Sequence, residues 1–178
     1  QDLQIATLAG GCFWCLEAVY QEVDGVHSIV SGYCGRTQSD PTYEQVCSGT
    51  TGHAEAVNIF FDPDKVSYEK LLDIFFVIHD PTTLNKEGAD IGTQYRSAIF
   101  FHNDAQKQHA IKTIELLQNS GVWDSQIVTE IVSASTFYEA EQYHQNYYRD
   151  NPNQQYCQFV VAPKLSKFRQ KYLNNSKA

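Results

Sequence analysis

Hydrophobic and polar positions along the chain fall into two periods. LQIATLA (residues 3–9) is a short β-like run closed by Gly10-Gly11. FWCLEAVYQEV then places Phe13, Leu16, Val19, Tyr20 and Val23 at helical spacing, with Asp24-Gly25 as a stop. VHSIVSGY alternates as a strand, and the turn-rich segment from Arg36 to Gly52 leaves room for one short helix after Pro41. HAEAVNIFFD alternates as a strand up to the Asp62-Pro63 turn, and residues 67–77 read as a helix capped by Ser67. A long stretch without periodicity follows, HDPTTLNKEGADIGTQY, of the kind that carries function in a compact domain. RSAIFF is a strand. Asn103 or Asp104 caps a helix that runs to about Ser120 and stops at Gly121. IVTEIVSA is the clearest alternating strand, Tyr138 to Asp150 reads as a Tyr-rich helix, and the rest is an irregular C-terminal tail.

The elements interleave with too few long crossovers for a doubly wound fold. The expectation is therefore α+β, a sheet with helices packed on it, as one domain spanning residues 1–178. No apolar run reaches the length of a membrane span. A net charge of -8 argues against a nucleic-acid partner. The nearest basic stretch, KLSKFRQK, puts Leu165 and Phe168 on one helix face with its charges on the other, the pattern of a solvated face. The chain starts at Gln1 and contains no Met, so the compartment stays open. The start reflects a removed signal peptide, a fragment of a longer chain or a chosen chain boundary; the expectation is a cytoplasmic protein, or a periplasmic or exported one in the first case.

Five cysteines, Cys12, Cys15, Cys34, Cys47 and Cys157, are an odd count at irregular spacing and do not suit a disulfide scaffold. Strand, two glycines and helix put Cys12 at a helix N-terminus, where free N–H groups favour a nucleophilic thiolate. Cys15 follows at CxxC spacing, as a redox partner or as a packing residue. The six histidines offer no second ligand pair, so a metal site is not expected. Glu55 stands inside an apolar strand; if covered, it would hold its proton and could donate to an oxygen. His53 beside it reads as a core histidine. Among eleven tyrosines, Tyr43 and Tyr95 lie in irregular segments and are the better site candidates. Asp90 shares the long loop with Tyr95.

GGCFWCLEA, GYCGRTQSDPTYEQVCSGTTGHAEAV, HDPTTLN, DIGTQYRSAIF and the tail YHQNYY with NPNQQYC together resemble the peptide methionine sulfoxide reductase A family. The resemblance runs from residue 10 to residue 157. It implies a ferredoxin-like two-layer α/β fold. It also implies that Cys12 attacks the sulfoxide sulfur, that Phe13 and Trp14 form an apolar pocket for the S-methyl group, and that Glu55 is the acid. Tyr43 and Tyr95 would hold the sulfoxide oxygen, with Asp90 and Tyr156 supporting the site.

By the same resemblance the substrate is methionine S-sulfoxide, free or in oxidised proteins. Cys12 passes through a sulfenic acid to a disulfide that thioredoxin reduces, with no bound cofactor, and the protein is a monomer. Cys157 is the expected resolving cysteine, on a tail long enough to fold over the site, and Cys15 is the alternative. Departures from the family pattern are Cys15 after GCFW and Lys86-Glu87 where Arg-Gln is usual. Cys34 and Cys47 read as packing residues. The rival readings are a general CxxC thiol-disulfide oxidoreductase, with no use for Glu55, and a metal-binding or interaction module.

Overall fold

The computed structural model describes residues 2–35, 40–49 and 51–173. Residues 36–39 and 50 of the expected turn-rich segment lie outside the described residues. β1 (Gln4–Ala9) leads into α1 (Phe13–Tyr20), and β2 (Val26–Cys34) and β3 (Ala54–Phe61) flank the short α2 (Tyr43–Cys47). After α3 (Tyr68–Ile78) come the two-residue strands β4 (Lys86–Glu87) and β5 (Asp90–Ile91). Next are β6 (Ala98–Phe101), α4 (Asp104–Ser120), β7 (Glu130–Ser133) and β8 (Tyr138–Glu139). The chain ends in α5 (Tyr147–Asp150) and α6 (Ala162–Phe168).

The main sheet has the order β7-β6-β1-β3-β2-β8. Its four central strands, β6-β1-β3-β2, pair antiparallel with one another, and α1 and α3 follow β1 and β3 as in a ferredoxin-like split βαβ. β7 joins β6 in parallel after α4, which makes the sheet mixed. One face carries the larger core, where Leu8, Ile59 and Phe61 meet Phe13, Leu16, Val19, Leu71 and Phe75 of α1 and α3. Each such buried side chain stabilises the fold by roughly 1.5–3 kcal/mol. The opposite face holds a small cluster of Ala9, Cys34, Ala54, Ala56, Ala98 and Phe100.

Local signals placed the helices well. Ser67 accepts the Lys70 N–H, Asn103 accepts the Gln106 N–H, and Gly121 closes α4 at φ 77°. Thr42 and Gln45 form a capping box at α2.

Three expectations are corrected. Residues 138–150 are not one helix but a strand, a 3-10 turn (Gln142–His144) and α5, broken at Asn146 with φ 57°. Groups of this segment are engaged elsewhere: the Glu141 side chain by Tyr33 and Tyr43, the Gln145 side chain by Ser31, and the Asn146 backbone N–H by Glu17. The strand expected over 127–134 shortens to Glu130–Ser133, because the Val128 N–H turns to the Pro81 carbonyl. The tail is helical rather than irregular, with π-helical turns at Cys157–Val161 and Arg169–Leu173 around α6. It packs on α1 and α3 and buries Val161, Leu165 and Phe168, the last two on the face that their spacing indicated.

Candidate active site

β1 ends at Gly10-Gly11, and Gly11 takes φ 87°, a left-handed conformation that glycine adopts without strain. This turn leaves Cys12 as the extended N-cap of α1, just beyond the C-terminal end of β1. The Gly11 N–H donates to the Tyr95 carbonyl at 3.2 Å and ties the long loop to the turn. Glu55 enters from the neighbouring strand β3 and is 1% exposed. Its Oε1 accepts the Phe13 N–H, the first free donor of α1, at 3.1 Å.

Burial pushes the Glu55 carboxyl up to about 8, against the Phe13 hydrogen bond, and Asp90 and Cys15 add to the rise. The covered, protonated acid expected from the sequence is therefore present at neutral pH. Cys12 differs from expectation. Burial raises its thiol well above the ordinary value, and a hydrogen bond to Cys15 and the field of Glu55 act the same way. The Trp14 N–H faces the sulfur and opposes the rise, but no capping hydrogen bond closes. Desolvation thus outweighs the helix end, and Cys12 rests as a thiol. Cys15 is the lowered partner, first through the hydrogen bond from Cys12.

The expected aromatic and hydroxyl groups converge on this pair. Burial raises the phenols of Tyr43 and Tyr95, which both lie near Glu55, and keeps them as O–H donors. Tyr156 donates to Asp90 on β5 and stands beside Cys12 and Cys15. Phe13 is buried and Trp14 half-buried. Trp14 stacks on Tyr147 at 3.8 Å between centroids and meets Tyr156 edge-on at 5.6 Å. Cys157, expected on a tail free to move, is buried in its π-helical turn and lies within the field of Cys15.

Sequence reasoning missed three residues here. Cys47, read as packing, hydrogen-bonds the hydroxyls of Tyr43 and Tyr95 and faces Glu55. The i, i+4 spacing of Tyr43 and Cys47 on α2 was the available signal. His144 accepts the Trp14 indole N–H through Nδ1 at 3.1 Å and packs its ring on Phe13 and Tyr43 at 5.2 and 4.4 Å. Burial lowers its pKa, so it stays a neutral acceptor. Glu141 accepts the Tyr33 hydroxyl at 2.8 Å and the Tyr43 N–H at 2.9 Å, which anchors α2 over the site. His53, by contrast, is a core residue as expected. A cavity of about 810 Å³ between Val23, Ile74 and Phe168 contains none of these groups. Among the described residues no three His, Cys, Asp or Glu side chains gather as a metal site, and no helix is long and apolar enough to cross a membrane.

A buried thiol at a helix head, a proton-holding carboxyl and hydroxyl donors around an aromatic wall define a thiol-dependent reductase site on an α+β fold. A family model described as peptide methionine sulfoxide reductase matches residues 4–177. A protein from Polynucleobacter asymbioticus named peptide methionine sulfoxide reductase MsrA is 58% identical over 170 residues, covering 96% of this chain and 90% of that protein. Reduced Mxr1 from Saccharomyces cerevisiae superposes with a TM-score of 0.82 at 38% identity, over 88% of this chain and 90% of that one. Mxr1 in complex with Trx2 gives 0.59 at 29% identity, over 82% and 85% of the two chains. The chain belongs to the peptide methionine sulfoxide reductase family.

Proposed function

We propose that this protein reduces methionine S-sulfoxide, free or within oxidised proteins, at Cys12. The observation that carries the reading is Glu55, a carboxyl that is buried, protonated up to about pH 8 and hydrogen-bonded within the Cys12 turn. A sulfoxide oxygen leaves only when protonated, so the reaction needs an acid that still holds its proton at neutral pH. Tyr43 and Tyr95 supply fixed hydroxyls for the same oxygen. Phe13 and Trp14 offer the apolar wall for the methyl group, with His144 fixing the indole.

In the first step Cys12 Sγ bonds to the sulfoxide sulfur; the protonated oxygen then passes to Cys12 Sγ as its bond to the substrate sulfur and the bond between the two sulfurs break, releasing the thioether. Glu55 gives its proton to that oxygen and takes the proton of the Cys12 thiol, with which it shares a hydrogen bond. Cys12 ends as a sulfenic acid, oxidised by two electrons, and methionine is the reduced product. A second thiol condenses with the sulfenic acid and water leaves. Cys157, beside Cys15 in the helical tail, then carries the disulfide that an external dithiol reduces. The Mxr1 complex with Trx2 supports thioredoxin as that reductant. No cofactor enters these steps, and the protein acts as a monomer.

The test is a single turnover without reductant, using the separated S and R epimers of methionine sulfoxide. Release of methionine from the S epimer and none from the R epimer is the expected result. Release without epimer preference, or disulfide reduction without sulfoxide turnover, would favour the general thiol oxidoreductase.

A further inference from the structure

The third residue of α1 has surroundings that the chemistry at Cys12 does not use. Cys12 is extended, at φ -70° and ψ 131°, and so stands outside the helix. An N-cap side chain points toward the N–H groups of the second and third helical residues, and the third residue here is Cys15. The two thiols accordingly meet in a hydrogen bond. A disulfide needs closely placed Cβ atoms, and the extended backbone of Cys12 sets it apart from the regular helical spacing of two cysteines on successive turns.

Lys164 of α6 reaches the same place from the tail. Its Nζ donates to Glu87 Oε2 at 2.8 Å, and Glu87 Oε1 accepts the Asp80 N–H at 2.8 Å. A Cβ added at Gly11 would lie 2.6 Å from Glu87 Cγ and 3.7 Å from Lys164 Nζ, so the ammonium rests against the backbone just before Cys12. Both members of the ion pair are largely buried, where salt screens little. Glu87 stands at one of the positions where this chain departs from the family pattern, and its anionic partner role is what holds Lys164.

The groups facing Cys15 pull in both directions. The hydrogen bond from Cys12 lowers its pKa, burial raises it, and Lys164 lowers it further, against Asp90 and Glu87. Glu55, Tyr156 and Cys157 also lie within its field.

We propose that Lys164, braced by Glu87, is a positioning residue for the second half of the cycle: it holds Cys15 ready to attack the Cys12 sulfenic acid. The inference rests on the sulfoxide reductase reading. Cys15 Sγ forms a bond to Cys12 Sγ, the Cys12 sulfur–oxygen bond breaks, and the departing oxygen takes the Glu55 proton and leaves as water. Cys12 falls by one oxidation step and Cys15 rises by one. Cys157 then exchanges onto Cys15 and frees Cys12 for the next substrate.

The experiment follows sulfenic acid decay after one equivalent of methionine S-sulfoxide, by quench with a 1,3-diketone probe and mass spectrometry, from pH 6 to pH 9. The chains compared are the wild type, Lys164→Met, Lys164→Arg and Cys15→Ser, and methionine release is measured in every sample. In Lys164→Met the decay is expected to slow about tenfold at pH 7 and to climb toward the wild-type rate as pH rises, because loss of the cation moves the Cys15 thiol up. Lys164→Arg restores the wild-type profile, and Cys15→Ser accumulates the trapped acid. Decay in Lys164→Met with the wild-type rate and pH profile would overturn the inference while methionine release still upholds the reductase. So would a Cys15→Ser chain that forms its disulfide at the wild-type rate. Absence of methionine release from the wild type would overturn both.

Discussion

The Phe13 N–H and Glu55 Oε1 lie 3.1 Å apart, joining the first turn of α1 to the central strand β3 directly beneath Cys12. One contact therefore fixes the acid against the nucleophile's own helix. It also offsets part of the desolvation that keeps the carboxyl protonated.

Glu55→Ala should lower kcat/KM for methionine S-sulfoxide on the order of 10²-fold or more, the usual contribution of a positioned acid. In the wild type the first-turnover rate should fall as pH rises through about 8, where the carboxyl loses its proton. Stopped-flow measurement of methionine release in Glu55→Gln should show that this alkaline limb has gone. A persisting limb near pH 8 would assign the proton to another group.

The same carboxyl links stability to pH. Glu55 holds its proton to about 8 in the folded protein but to about 4.5 when unfolded, so between those values the folded chain binds more protons. Stability must then fall as pH rises across that window, by up to roughly 1.4 kcal/mol per pH unit for the one group. Glu17, raised by burial to about 7, acts in the same direction. Urea melts at pH 5.5 and pH 7.5 should show a smaller difference in Glu55→Gln than in the wild type. An unchanged difference would mean that Glu55 is ionised in the fold.

Cys157→Ser should keep the first turnover and lose thioredoxin-supported recycling, with a disulfide left between Cys12 and Cys15. Steady-state turnover with thioredoxin and its reductase measures this. Recycling at the wild-type rate would assign delivery of the disulfide to Cys15 instead.

His144→Ala removes the acceptor of the Trp14 indole and the ring packed on Phe13. The expected loss in kcat/KM is about tenfold, the equivalent of ~1.4 kcal/mol in transition-state binding. Trp14 fluorescence should shift to longer wavelength as the indole loses its fixed partner. Activity and emission equal to wild type would remove His144 from the site.

Much of this was legible along the chain. Strand, two glycines and helix marked Cys12, and a lone acid in an apolar strand marked Glu55, since both signals are local. Capping residues such as Ser67 and Asn103 set helix ends for the same reason. Residues 138–150 misled because their tyrosine spacing imitates a helix, whereas the segment is held by distant partners such as Ser31 and Glu17. The charge state of Cys12 was misjudged because a helix end is visible in sequence and burial is not. The pairing of Lys164 with Glu87 joins residues 77 apart, and only the folded tail brings them together.

The central claim is that Cys12 takes the sulfoxide oxygen. The direct measurement is peptide mass spectrometry of the chain carrying Cys15→Ser and Cys157→Ser, after one equivalent of methionine S-sulfoxide and trapping by a sulfenic-acid probe. The account predicts the probe on Cys12 in proportion to the methionine released. Methionine release with Cys12 still a free thiol, or with the probe on Cys34 or Cys47, would contradict it.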